Sequence, residues 1–223
     1  MEPKPLVILL HGLARSELSM RGLAKHLQSL GFATWNWTWP SRKMPVAAAA
    51  AAVHAQLLAE FGPRALTLPI CAVTHSLGGV VALRLSQLLP LRRVVLLAPP
   101  LQGSRVARAF VHLKIFQWFY GPAGSEVAVP AADWHSHGRI EALGVIAGTV
   151  GLHWGNPISW VTRALGVLPA DLASDGTVAA AETRPAADHH YVEVPATHTW
   201  IMDDSQVRDL VVKFLRTAQF GPG

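Results

Sequence analysis

Short apolar runs alternate with longer amphipathic stretches along most of the chain. The apolar runs predict six strands, at Leu6–Leu10, Ala33–Trp37, Ile70–Thr74, Arg93–Leu97, Leu143–Ala147 and His190–Val194. The longer stretches predict helices over Ser19–Leu30, Val46–Phe61, Leu77–Leu89 and Ser205–Ala218. Because the strand runs lack polar alternation and helices separate them, they predict a mostly parallel sheet that is buried on both faces.

Composition narrows the class of protein. The chain has 223 residues, of which 51% are hydrophobic and 15% are charged, so it is expected to fold as one domain over residues 1–223. Its formal net charge is +5, but the 19 Lys and Arg residues are scattered. This pattern does not predict nucleic-acid binding. It leaves open a weak attraction to anionic surfaces such as lipid, or to carboxylate-bearing substrates.

Targeting signals are not apparent in the sequence. Cys71 is the single cysteine, so no internal disulfide is expected, and its place in an apolar run predicts burial. The first apolar run is too short for a signal peptide, and no run of 18 apolar residues is present. We therefore predict a cytoplasmic protein.

The segment Thr-His-Ser-Leu-Gly-Gly lies between the third predicted strand and the following helix. It matches the G-x-S-x-G pattern of a nucleophile elbow, a strained turn that exposes a serine hydroxyl, except that Thr74 replaces the first glycine. Ser76 is therefore a candidate nucleophile, and the unpaired N–H of Leu77 at the helix start suits an oxyanion. The alternative interpretation is that Ser76 only caps the helix.

A serine nucleophile needs a base and an acid that orients the base, and in elbow proteins the chain order is Ser, acid, His. Asp175 is the candidate acid, because its turn offers backbone N–H groups to a carboxylate and Gly176 permits the tight path. The alternative is that Asp175 only forms the turn. The other acidic candidates have simpler explanations at turn, strand or helix starts; they are Asp171, Asp188, Asp203 and Asp204.

His198 is the candidate base. It lies in the loop after the last predicted strand, from which an imidazole can reach over the sheet edge. The chain contains 11 histidines, so one histidine alone carries little weight, and His153 is the weaker alternative. At the other end of the chain, Gly12 lets the backbone bend after the first strand, so that the N–H of Leu13 faces the reacting carbonyl. The alternative for Gly12 is an ordinary strand-to-loop glycine.

Taken together, these pieces resemble the α/β-hydrolase superfamily, and more narrowly its small lipase-like and esterase-like members. The resemblance runs from Pro5 to about Leu215. It rests on six stretches: LVILLHGL (6–13), VTHSLGG (73–79), RVVLLAPP (93–100), GVIAG (144–148), SDGTV (174–178) and the late His-Thr pair (198–199).

The resemblance implies a three-layer α/β-hydrolase fold in a minimal form without a large cap domain. It implies Ser76 as nucleophile, Asp175 as acid and His198 as base, with the amides of Leu13 and Leu77 forming the oxyanion hole. The predicted function is hydrolysis of a small-molecule carboxylic ester through an acyl-enzyme, with short to medium acyl chains. An amidase, thioesterase or acyltransferase would use the same triad, and a non-catalytic binding protein with this fold is the alternative from another class.

Two long connections remain, Gln102–Arg139 and Gly148–Leu172. The first is interpreted as a core-facing amphipathic helix that ends at Gly121-Pro122, and the alternative is an apolar lip that binds an acyl chain. Its bulky apolar residues are Phe110, Leu113, Ile115, Phe116, Trp118, Phe119 and Tyr120. The second is expected to form the opposite wall with Trp154, Trp160, Leu165 and Val167.

No cofactor and no metal are predicted. The sequence has no G-x-G-x-x-G after a strand and no phosphate-binding loop. The segment Asp133–His137 contains residue types that bind metals, but one local His-x-His is a weak signal and a polar surface loop is the better interpretation. The sequence does not specify an oligomeric state.

Overall fold

The computed structural model describes residues 5–130, 134, 137–154 and 157–221. In these residues six strands form one sheet in the order β2-β1-β3-β4-β5-β6, and every neighbouring pair is parallel. The strands are β1 (Leu6–Leu10), β2 (Ala33–Asn36), β3 (Ile70–His75), β4 (Leu91–Leu97), β5 (Ile140–Gly148) and β6 (His190–Val194). The predicted six-stranded parallel sheet is confirmed.

Helices cover the sheet. They are α1 (Arg21–Ser29), α2 (Val46–Phe61), α3 (Leu77–Leu85), α4 (Arg105–Phe110), α5 (Lys114–Ala128), α6 (Pro157–Ala164) and α7 (Ser205–Thr217). Short 3-10 turns occur at Glu17–Met20, Gly62–Leu66, Ala180–Thr183 and Ile201–Asp203. No large cap is present among the described residues, and the three-layer α/β-hydrolase fold is confirmed. Within the same residues, no helix has both the length and the apolar character needed to cross a bilayer.

The strands divide the core into two layers. Ile8 and Leu10 of β1 pack into a cluster that includes residues of α2 and α3. Val7 and Leu9 pack into a second cluster with residues of α1 and α7. Successive side chains of a strand point to opposite faces of the sheet, so a strand that is apolar throughout must be covered on both sides. This explains why the strand runs in the sequence show no polar alternation.

The predicted elements occur in the right order, but several boundaries differ. Both β4 and β5 begin earlier than predicted. The third helix was predicted to reach Leu89, but α3 ends at Leu85. The hydroxyl of Ser86 turns back to donate to the carbonyl of Leu83, and the Ser86 carbonyl accepts from the N–H of Arg139. The first of these bonds occupies the Leu83 carbonyl, which a longer helix would have used, and the second ties the helix end to the chain before β5.

The first helical segment of α5 ends at Gly121-Pro122, as predicted. Gly121 has a non-helical backbone with φ +65°, and a second helical segment then runs to Ala128, which the sequence did not predict. A side chain at Gly121 would collide with the carbonyl of Arg42, so this position needs glycine for space as well as for conformation. Pro122 fits because it opens the second helical half, where the first turn does not need its N–H.

The close packing of α3 on β1 gives a testable prediction. A Cβ on Gly78 would lie 2.5 Å from the carbonyl oxygen of Leu10 and 2.8 Å from that of His11, and these are backbone atoms that cannot swing away. Gly78→Ala is therefore expected to lower the free energy of unfolding by about 1–3 kcal/mol, measured by urea denaturation. Gly221→Ala is the control, because a Cβ there meets nothing within 4 Å. Equal stability of the two variants would contradict this packing.

Candidate active site

The elbow lies where β3 passes into α3. Ser76 has φ +52° and ψ −125°, a conformation that residues with a side chain rarely adopt. Its N–H donates to the carbonyl of Leu97 at 2.8 Å, which ties the turn to the end of β4. The side chain of Ser76 makes no capping hydrogen bond to α3, so the interpretation of Ser76 as only a helix cap does not describe this geometry.

Thr74 is accommodated in place of the first elbow glycine because it still belongs to strand β3. It is fully buried and pairs with Leu10 and Leu96 on the neighbouring strands. The tight contacts fall after the serine instead. A Cβ on Gly79 would lie 2.9 Å from the Cβ of Pro99, so small residues are required on the helix side of the turn.

The structure brings Ser76, His198 and Asp175 together. The Nε2 atom of His198 lies 3.0 Å from the hydroxyl oxygen of Ser76, and its Nδ1 atom lies 2.7 Å from Oδ2 of Asp175. A carboxylate can only accept, so Nδ1 carries a proton toward Asp175 and Nε2 is left to accept the Ser76 proton. The backbone N–H of His198 also donates to the carbonyl of Asp175 at 3.0 Å.

The two carboxylate oxygens of Asp175 have different partners. Oδ1 accepts from the backbone N–H groups of Thr177 at 3.0 Å and Val178 at 2.8 Å, while Oδ2 faces His198. Gly176 has φ +89°, which permits this tight turn. The sequence analysis treated turn formation and contact with the base as alternative roles of Asp175. In the structure the buried side chain of Asp175 has both roles.

The competing candidates lie elsewhere. Asp203 pairs with Arg208 at 2.8 Å, and Asp204 caps α7 through the N–H of Val207. Asp171 and His153 are exposed, and Asp188 lies in the loop before β6. Among the described residues, none of these candidates contacts Ser76 or His198.

The loop after β1 lies directly beside the elbow. His11 is fully buried and stacks on Trp39, whose indole N–H donates to the carbonyl of His11 at 3.1 Å. A Cβ on Gly12 would lie 2.8 Å from Nδ1 of His75 and 3.1 Å from the Cβ of Ser76. Glycine is therefore needed here for space, because it lets the loop approach the serine.

Leu13 and Leu77 follow Gly12 and Ser76, and both line a cavity of about 270 Å³ next to the serine. Within the described residues, neither backbone N–H is used in another hydrogen bond. Both amides remain available to a ligand in the cavity.

The cavity wall is mostly apolar and includes residues of α4 and α5. Phe116 and Tyr120, which lie on one face of α5, line the cavity. Ile115 and Trp118, on the same helix, are 68% and 73% exposed. The helix also faces the core as predicted, since Ala123, Val127 and Ala128 are buried in the main cluster and Phe116 packs against it. α5 thus belongs to both the core and the cavity wall, and the binding of an acyl chain by this wall stays a prediction. The side chain of Phe119 lies outside the described residues.

The four residues that were expected to form the opposite wall of the cavity do not line it. Trp154 and Leu165 are 86% and 61% exposed, Trp160 is partly exposed, and none of the three lines the cavity. Val167 packs in a small separate cluster with Val106. The cavity is closed on this side by residues of the acid and base loops, namely Thr177, Val178 and Thr199.

The part of the chain that the structure describes contains no group of three or more potential metal ligands. Three residues of the Asp133–His137 segment, Asp133, His135 and Ser136, lie outside it.

Comparison with known proteins identifies the family. The family model described as "Alpha/beta hydrolase family" matches residues 7–219. This chain is a member of the alpha/beta hydrolase family. The family match agrees with the resemblance expected from the motifs. No curated protein matches the sequence.

Solved structures of other hydrolases share the fold at low sequence identity. Lipase BlEst2 of Bacillus licheniformis, in its mature form, is 16% identical with a TM-score of 0.71, and the alignment covers 95% of this chain and 92% of that one. Phospholipase PlaB of Legionella pneumophila is 14% identical with a TM-score of 0.67, covering 97% of this chain and 57% of PlaB. Monoacylglycerol lipase of Paleococcus ferrophilus is 16% identical with a TM-score of 0.56, and 97% of each chain is covered.

Two residues near the elbow of this hydrolase were missed in the sequence. His75 is buried and its Nε2 donates to the carbonyl of His198 at 2.9 Å. A histidine directly before the serine, at the end of a buried apolar strand, was a usable signal for it. Arg15 lines the cavity and donates from Nη1 to the carbonyl of Thr199 at 2.8 Å. The sequence contains no motif that points to Arg15.

Burial holds His75 in its neutral form. Desolvation lowers the pKa of His75 well below its ordinary value of 6.5, and the nearby His198 and Arg15 act in the same direction. The Nδ1 atom of His75 has no hydrogen-bond partner among the described residues. A second proton on the ring would therefore be buried without an acceptor.

This environment predicts a pH dependence of stability. The folded state binds the His75 proton less readily than the unfolded chain, so stability is fully present above about pH 6.5 and is lost as the pH falls below it. His75→Gln, which keeps an N–H donor but does not titrate, should make the loss between pH 6 and pH 5 less steep by up to about 1.4 kcal/mol per pH unit. Chemical denaturation at each pH measures this, and His112→Gln, at an exposed position, is the control. A slope unchanged from the parent protein would contradict the prediction.

Proposed function

We propose that this chain hydrolyses carboxylic esters with Ser76 as nucleophile. Ser76 Oγ attacks the acyl carbon while His198 Nε2 takes the hydroxyl proton, and Asp175 holds the imidazole in the tautomer that can do so. The proton then passes from His198 to the leaving alcohol, and an acyl-serine remains. Water attacks the acyl-serine, gives one proton to His198, and releases the acid as the proton returns to Ser76.

Negative charge develops on the carbonyl oxygen in both steps. The amides of Leu13 and Leu77 are the proposed donors to this oxyanion. They belong to separate elements, the loop after β1 and the start of α3, which Gly12 and Gly78 bring close together. Donors fixed in place before the reaction need no reorganisation when the charge appears, and this is usually a large part of catalysis by such sites.

One observation carries the proposal. The contacts of 3.0 Å from Ser76 to His198 and 2.7 Å from His198 to Asp175 form a continuous chain beside an apolar cavity of about 270 Å³. The names of relatives with the same fold, a lipase, a phospholipase and a monoacylglycerol lipase, support ester chemistry.

The size and lining of the cavity favour substrates with short to medium acyl chains. Its volume is just below the usual range for small-molecule sites, and apolar side chains of α4 and α5 form much of its wall. Amidase, thioesterase and acyltransferase reactions would use the same three side chains, and ester hydrolysis is the simplest of these reactions. A protein that only binds a ligand would have no need for the aligned Ser76–His198–Asp175 contacts.

Ser76→Ala is expected to lower kcat by about 10⁶-fold for 4-nitrophenyl butyrate and to leave the fold intact, because only the attacking oxygen is removed. Release of 4-nitrophenol measures kcat, and circular dichroism checks the fold. Ser29→Ala, at the end of α1, is the matched control and should keep full activity. Near-normal hydrolysis by Ser76→Ala would exclude Ser76 as the nucleophile.

Asp175→Asn tests which aspartate acts as the acid. An amide in this position can present its N–H groups to His198 and favour the wrong imidazole tautomer, so kcat should fall by about 10⁴-fold. Asp171→Asn makes the same chemical change at an exposed residue of the same chain region and should leave kcat unchanged. If the two variants lost activity equally, or if only Asp171→Asn lost it, the assignment of Asp175 would be wrong.

A further inference from the structure

Arg15 is a cation in the wall of an otherwise largely apolar cavity. It follows Leu13 by two residues on the loop after β1, and its guanidinium is partly buried. Its Nη1 donates to the carbonyl of Thr199, the residue after His198, at 2.8 Å. Arg15 therefore lies between the proposed oxyanion loop and the loop of the proposed base.

In the described part of the chain, the charge of Arg15 has no close counter-ion. Among the described residues, no carboxylate lies within 4 Å of its guanidinium. Asp203 acts on it from further away and is itself paired with Arg208 at 2.8 Å. Burial lowers the pKa of Arg15, which is the effect expected for a cation partly removed from water. An arginine remains protonated at neutral pH despite such a shift.

The field of this charge reaches the reaction centre. Burial is the main cause that lowers the pKa of His75 and of His11, the buried histidines next to the elbow and in the oxyanion loop, and the charge of Arg15 acts in the same direction on both. Of the described residues that line the cavity, Arg15 is the one lysine or arginine. The polar side chain of Ser104 is engaged elsewhere, since it caps α4 and donates to the carbonyl of Thr177.

We propose that Arg15 binds an anionic group, a carboxylate or a phosphate, carried by the ester substrate close to the scissile bond. A partly buried cation without a counter-ion gains from such a group, and guanidinium N–H groups match both carboxylate and phosphate oxygens. The substrate class is then esters that carry a negative charge in the acid half or in the alcohol half. This inference rests on the proposed ester hydrolase function.

Two matched pairs of substrates test the inference. Monomethyl adipate and dimethyl adipate differ by a carboxylate in the acid half. 1-Octanoylglycerol 3-phosphate and 1-octanoylglycerol differ by a phosphate in the alcohol half. Hydrolysis of all four can be followed by base uptake at constant pH. The parent protein should prefer the anionic member of at least one pair in kcat/KM, and the pair that shows the preference identifies the half that carries the charge.

Arg15→Gln should reduce this preference by roughly ten- to hundredfold, the effect of losing one or two hydrogen bonds to a charged group. The preference is a ratio measured on one preparation, so a lower folded fraction cancels out. Arg15→Lys should keep part of the preference. Arg64→Gln makes the same charge change at an exposed residue of the Gly62–Leu66 turn, before β3, and should leave the ratio unchanged.

Two results would overturn the inference alone. One is hydrolysis that requires Ser76 but shows no preference for the anionic member of either pair. The other is an Arg15→Gln variant that loses kcat/KM equally for charged and neutral esters, as expected if Arg15 only holds the Thr199 loop in place. Failure of the parent protein to hydrolyse any of the four esters would instead overturn the proposed function itself.

Discussion

The backbone conformation of Ser76 is the constraint on which the rest of the site depends. A residue with a side chain held at φ +52° between a strand and a helix is strained by about 1–3 kcal/mol and persists only when its surroundings fix it. Here the Leu97 carbonyl holds its N–H, and glycines on two sides let α3 and the first loop approach. A Cβ at Gly12 or Gly78 would meet atoms of the elbow or of β1, so the same close packing that forces the turn also places both proposed oxyanion amides beside the serine.

The position of the base depends on the elbow as well as on the acid. His198 is held at four points: its side chain by Asp175, its N–H by the Asp175 carbonyl, its carbonyl by His75, and its Nε2 by contact with Ser76. Two adjacent elbow residues thus contact opposite ends of the same histidine. The neutral, buried His75 at the end of β3 therefore helps to position His198. The alignment of Ser76, His198 and Asp175 is thereby coupled to the protonation state of His75.

Much of this arrangement could be predicted from the sequence, because its signals are local. Apolar runs give the strands, and turn residues around Ser76 and Asp175 give the loops at the carboxyl ends of the strands. The contact of Ser76 with His198 spans more than a hundred residues, and it was predicted because the order of motifs along the chain indicates it. No motif indicates the contacts of His75 and Arg15 with backbone carbonyls of the base loop. The sequence left open whether α5 faces the core or a cavity, because a helical period indicates an apolar face without saying what that face meets, and this helix meets both.

The central claim is that Ser76 is an assembled, reactive nucleophile. It is tested most directly by treating the folded protein with a fluorophosphonate, which forms a covalent bond with activated serines, and locating the label by peptide mass spectrometry. The account predicts one label, on Ser76, and its loss in His198→Ala. A folded protein that takes up no label, or takes it up at another serine, would contradict the account.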